Sequence, residues 1–128
     1  VCSSDLDIDT TEQFQSLIKD INSHSSIQPF LSIDQEGGRV ERTEKIHPRY
    51  KSAKEAYSLG AEFLKKQTST IAKELNNYGI NMNFAPCIDV NSNPNNPIIG
   101  DRAFSNKPDD VCKAYDIVSK EYITQNEQ

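Results

Sequence analysis

With 128 residues, 35% of them hydrophobic and 26% charged, the chain is long enough for one compact core, and no apolar run approaches the roughly 18 residues that a membrane span needs. A formal net charge of -5, with Lys and Arg interspersed among acids, argues against a nucleic-acid partner and favours a neutral or small polar ligand. Cys2, Cys87 and Cys112 are an odd count whose spacing matches neither a disulfide framework nor a zinc site, so they do not fix a compartment.

The chain opens at Val1 without a Met, a basic segment or an apolar signal core, so the natural start and any targeting segment are expected upstream. Residues 1–6 (VCSSDL) read as foreign, a translation of a common sequencing-adapter end joined to a truncated gene, which leaves residues 7–128 for the domain. From about residue 9 to 23, Asp9 and Glu12 make a capping box, and Phe14, Leu17, Ile18 and Ile21 repeat at helical spacing. Pro29 is followed by the short apolar run 30–33, too brief for a helix, which ends abruptly in Asp34-Gln35-Glu36-Gly37-Gly38. That predicts a core strand running into a loop.

A period near 3.6 over residues 52–78 predicts a long amphipathic helix, interrupted near Gly60. Gly79 stands where a left-handed residue would stop it, with Ile80 as the accompanying apolar contact. Ile80, Met82 and Phe84 then alternate with Asn81 and Asn83, which predicts a second strand. Residues 85–106 have loop chemistry, yet Ile98, Ile99 and Phe104 need somewhere to be buried, so an ordered loop packed on a site is expected. Pro108, Asp109 and Asp110 start a last helix with Val111, Tyr115, Val118 and Tyr122 on one face.

This order is the alternation of parallel βα units, an α/β chain. Two strands cannot make a sheet covered on both faces, as parallel sheets require. A complete (β/α)8 barrel runs to about 250 residues, so the chain would be less than half of one, a partial TIM barrel.

In such a barrel the strand ends form the active face, which directs Asp34 and Asp89 toward one place. An aspartate at a strand end also commonly caps its own loop. For Asp34 the neighbours matter: Gly37 and Gly38 permit close backbone approach to a ligand, and Arg39 and Arg42 follow. A carboxylate beside guanidinium groups suits sugar hydroxyls, accepting with one and donating with the other. The competing role for both arginines is an ion pair with Glu36 or Glu41. Asp101 and Arg102, at the far end of the long loop, either sit over the same face or pin the loop itself.

His24 and His47 lack the partners of a metal signature and read as surface residues. Gly37-Gly38 completes no phosphate-binding fingerprint, and Cys87, with no nearby base, reads as a small buried residue rather than a nucleophile.

Two stretches, FLSIDQEGGRV (30–40) and INMNFAPCIDVN (80–91), the latter continuing to NPIIGDRAFS (96–105), resemble the N-terminal barrel domain of family 3 glycoside hydrolases, closest to the NagZ-type β-N-acetylglucosaminidases. The resemblance implies a retaining hydrolase of terminal β-linked N-acetylglucosamine, acting on peptidoglycan or chitin-type glycans without a metal or organic cofactor. By motif position it assigns Asp34, Arg42 and Arg102 to binding the terminal sugar, with Arg39, Asp89 and Asp101 in support. It assigns no catalytic residue within the chain: the family's Asp nucleophile and His acid/base, the latter in a segment like KHFPGHG, are expected further on. No Lys-His pair occurs in the sequence.

Lys107 is a poor cap for the last helix, a loss of about 1 kcal/mol. A β-glucosidase or β-xylosidase of the same family, and a non-catalytic sugar-binding module, are the alternative readings. Relatives of this type occur in the cytoplasm and outside the cell, so the location stays open.

Overall fold

The computed structural model describes residues 8–126, and the presumed foreign residues 1–6 lie outside them. In chain order the elements are helix α1 (Thr11–His24), strand β1 (Ser32–Ile33), helices α2 (Ala53–Ser58) and α3 (Ala61–Tyr78), strand β2 (Met82–Asn83), a 3-10 turn (Gly100–Arg102) and helix α4 (Pro108–Asn126).

Helix α1 begins later than the sequence suggests. Its capping box is Thr10 with Gln13 rather than Asp9 with Glu12: the Thr10 hydroxyl accepts from the Gln13 N–H at 3.1 Å, and the Gln13 side chain accepts from the N–H groups of Asp9 and Thr10. The Asp9 carboxylate is occupied elsewhere, in an ion pair with Lys45. The long helix is indeed split at Gly60, whose φ of 105° no L side chain adopts cheaply. Ser52 caps α2 by accepting from the Glu55 N–H. At the end of α3, Gly79 is left-handed, its N–H donates to the Asn76 carbonyl and the Ile80 N–H to the Leu75 carbonyl, the paired closure that buries Ile80.

Strands β1 and β2 pair in parallel, with Ser32 opposite Met82 and Ile33 opposite Asn83. They are shorter than predicted because side chains replace part of the ladder. The Leu31 N–H donates to the Asn81 side chain at 2.8 Å and the Gln35 N–H to the Asn83 side chain at 3.1 Å. The Asn83 amide also donates to the Gln35 carbonyl and to the Tyr122 hydroxyl of α4. Burial pushes that hydroxyl's pKa up to about 12, so it stays protonated at neutral pH.

Leu31 and Ile33 pack with Phe14 and Ile18 of α1, Ile71 and Leu75 of α3, and Ile80. A second cluster joins α2, α3 and α4 around Ala56, Leu64, Phe104, Ala114 and Val118. Ala56 and Ala114 are fully buried in this cluster, where α4 packs along α3. The buried stripe of α4 consequently runs Val111, Ala114, Val118, and Tyr115, expected inside, lies outside. Just before α4, the Ser105 hydroxyl accepts the Lys107 N–H and donates to the Asp110 carboxylate, which fixes the chain at the helix entry.

Helices cover one face of the strand pair. On the other, Phe30 and Phe84 are 80% and 59% exposed and Ser32 is open to solvent, so the predicted alternation does not bury Phe84. The fold is α/β, as expected, but the described residues hold two strands and no closed barrel.

Candidate functional site

The loop after β1 is fixed before any ligand arrives. Glu36 and Gly37 both donate their N–H groups to the Val40 carbonyl, and the Gly38 N–H donates to that of Tyr50. Gly37 and Gly38 have φ of 91° and 62°, the left-handed conformations their positions implied. A Cβ on Gly37 would stand 2.4 Å from the Lys51 carbonyl oxygen, and one on Gly38 would stand 2.7 Å from Ser52 Cβ. Only glycine lets this turn lie against residues 50–52.

Gln35, 1% exposed, ties the turn together from beneath. Its side-chain oxygen accepts from the Arg42 N–H and its amide donates to the Thr43 hydroxyl, both at 2.8 Å. Arg42 is thereby held beside Asp34, guanidinium to carboxylate 3.9 Å, with both side chains nearly half exposed. That separation is too long for a hydrogen bond, so among the described residues donors and acceptors on both remain free for a ligand.

The long loop arrives from the other side on two arginines. Arg39 donates to the carbonyls of Ile98 and Ile99 at 2.5 and 3.2 Å and lies 3.4 Å from Asp101. Arg102 grips Glu36 with two parallel hydrogen bonds, Nε and Nη2 to the two carboxylate oxygens at 2.9 and 2.8 Å. The Glu36 side chain is 7% exposed and that of Arg102 28%. The hydrogen bond to Glu36 raises the guanidinium pKa and outweighs the opposing effect of burial, so Arg102 is permanently charged. A weak contact to the Ile98 carbonyl at 3.4 Å uses one N–H of Nη1. Of the five guanidinium N–H groups, two therefore have no partner among the described residues.

Asp34 and Arg42 thus stand together at the end of β1, and Arg102 is anchored two residues beyond Asp34. The ion pairs considered for Arg39 and Arg42 with Glu36 or Glu41 do not form: Arg39 pairs with Asp101, and Glu41, buried, accepts the Tyr50 N–H with both oxygens. The predicted docking of the long loop holds for Phe104, which is buried, but Ile98 is 66% exposed. Asp89 is exposed and accepts from the Cys87 thiol at 3.4 Å. Burial pushes the Cys87 pKa up, with the Asp89 backbone opposing and its carboxylate adding to the rise, which disfavours a thiolate nucleophile.

His47 is not the surface residue the sequence suggested. Its ring lies between the Tyr78 hydroxyl at 2.9 Å and Glu74 at 3.4 Å, where the Tyr50 hydroxyl also donates to Glu74. Among the described residues no group of three or more His, Cys, Asp or Glu could hold a metal ion, and no helix is long and apolar enough to cross a membrane.

Parallel βα units with charged loops gathered at the strand ends define an α/β domain. The model of the family described as "Glycosyl hydrolase family 3 N terminal domain" matches residues 4–121, and the chain belongs to that family. It is 48% identical over 98 residues to Beta-hexosaminidase A of Pseudoalteromonas piscicida, covering 71% of this chain and 16% of that protein. A family 3 β-N-acetylglucosaminidase from Paenibacillus sp. str. FPU-7 superposes with a TM-score of 0.78 at 34% identity, over 91% of this chain and 23% of that one. For NagZ from Neisseria gonorrhoeae the TM-score is 0.81 at 24% identity, over 89% of this chain and 36% of that one, a likeness of fold. The chain therefore spans well under half the length of these relatives.

Proposed function

We propose that the full-length protein removes terminal, non-reducing β-linked N-acetylglucosamine with retention, and that residues 7–128 supply part of the sugar-binding rim of its N-terminal (β/α)8 barrel. The observation that carries this reading is the free hydrogen-bonding capacity gathered at one strand end, in the carboxylate of Asp34, the guanidinium of Arg42 and two N–H groups of Arg102. Asp34 accepts from sugar hydroxyls, and the two arginines donate to hydroxyl oxygens. The open face of the strand pair, with Phe30 and Phe84 uncovered, supports further strands lying against it.

In this reading the chain positions the sugar while the chemistry belongs to residues beyond it. A carboxylate attacks the anomeric carbon as an acid protonates the leaving oxygen, and water then hydrolyses the glycosyl-enzyme. The hexosaminidase names of the relatives favour N-acetylglucosamine over glucose or xylose. Peptidoglycan fragments and chitin-type oligosaccharides are the natural substrates in view. Cofactors play no part in this scheme.

The test compares the full-length protein with the 128-residue piece on 4-nitrophenyl β-glycosides of N-acetylglucosamine, glucose and xylose. Release of 4-nitrophenol chiefly from the N-acetylglucosaminide by the full-length protein alone is expected. Faster release from the glucoside or xyloside would reassign the substrate, and saturable sugar binding with no turnover by the full-length protein would make it a binding protein.

A further inference from the structure

Glu36 is an expensive residue to keep where it lies. Its carboxylate is almost completely withdrawn from water, and an ion pair so placed often contributes little net stability against its desolvation cost. It is also rigidly presented. The N–H of Glu36 is bound to the Val40 carbonyl, and the next two residues are the glycines whose turn packs against residues 50–52. Both carboxylate oxygens face one edge of the Arg102 guanidinium, 66 residues away in sequence. A planar group held along one edge has a fixed orientation, so the directions of its remaining N–H groups are fixed too.

We infer that Glu36 is a positioning residue for sugar binding, aiming the two unpartnered N–H groups of Arg102 at the hydroxyls of the ring that Asp34 and Arg42 engage. This rests on the proposed glycosidase reading. Glu36 itself touches no substrate and acts through Arg102. The clasp also couples two loops: displacing the 3-10 turn that carries Arg102 changes the orientation of its donors.

Four forms of the full-length protein test the inference: wild type, Glu36→Gln, Arg102→Gln and the double variant, each assayed on 4-nitrophenyl β-N-acetylglucosaminide. Glu36→Gln keeps the shape but turns one acceptor into a donor that opposes the guanidinium. Its KM is expected to rise about tenfold with kcat changed far less, the size set by misaligning a charge-assisted hydrogen bond. Once Arg102 is Gln, adding Glu36→Gln should move KM less than about twofold, because the route through Arg102 is gone. Glu36→Asp, which keeps the charge, should recover part of the lost affinity.

Equal KM effects of Glu36→Gln in both backgrounds, or an unchanged KM with only a lower melting temperature, would overturn the positioning role while leaving the glycosidase reading intact. If Glu36→Gln does not fold, the Glu36→Asp variant carries the test, since an unchanged KM there with a displaced Arg102 in its crystal structure overturns the inference equally. A wild-type protein that releases no 4-nitrophenol removes both readings.

Discussion

The covered face of the strand pair and the rim at its strand ends are held by different forces. Beneath the strands, Leu31, Ile33, Ile71, Leu75 and Ile80 exclude water through contacts that have no required direction. At the rim, Gln35, Glu36, Arg39 and Arg102 are joined by hydrogen bonds that each demand one partner at one angle. The first arrangement maintains the fold, and the second sets the places of a few free polar groups. A substitution should therefore show which region it belongs to by whether stability or affinity responds.

The largest stability effect is expected in the covered face. Leu75→Ala, at a side chain 4% exposed, should cost about 2–5 kcal/mol in denaturant unfolding of the full-length protein, with KM of the folded enzyme unmoved. A KM that rose with it would mean that core and rim are not separable. Gly37→Ala strikes the boundary between the regions, because its Cβ would press on the Lys51 carbonyl at a left-handed φ. It is expected to cost about 1–3 kcal/mol and also to raise KM, since the turn carries Glu36 and leads to Arg42. Arg39→Ala, at a half-exposed clasp, should cost only about 1 kcal/mol yet speed limited proteolysis within residues 93–101 by loosening the long loop.

The same contrast decides what could be read from the sequence. Apolar periodicity located α1, the split helix α2 and α3, and the helix stop at Gly79, because a core stripe leaves a repeat in the residues that form it. It misjudges Tyr115, because which neighbouring position on α4 is buried depends on how that helix is rotated against α3, and Ala114 rather than Tyr115 faces the shared cluster. Asn81 and Asn83 enter that pattern only as the polar residues alternating with Ile80, Met82 and Phe84, whereas both extend the sheet by bonding to the backbone beside β1. Nothing local distinguishes those roles. At the rim, the DQEGGR segment and its glycines were legible, and so was the turn they make. The bond of Glu36 to Arg102 is not: a pair separated by 66 positions leaves no spacing signature, and Arg39 and Arg42 stand much nearer to Glu36 in the chain. His47 was missed for the same reason, since Glu74 and Tyr78 reach it from α3.

The sugar-binding rim is tested most directly by a crystal structure of the full-length protein with N-acetylglucosamine bound. The account predicts one pyranose ring whose hydroxyls lie within hydrogen-bonding distance of the Asp34 carboxylate and of an Arg102 N–H not engaged by Glu36. A ring bound at the active face without contact to either side chain would contradict it.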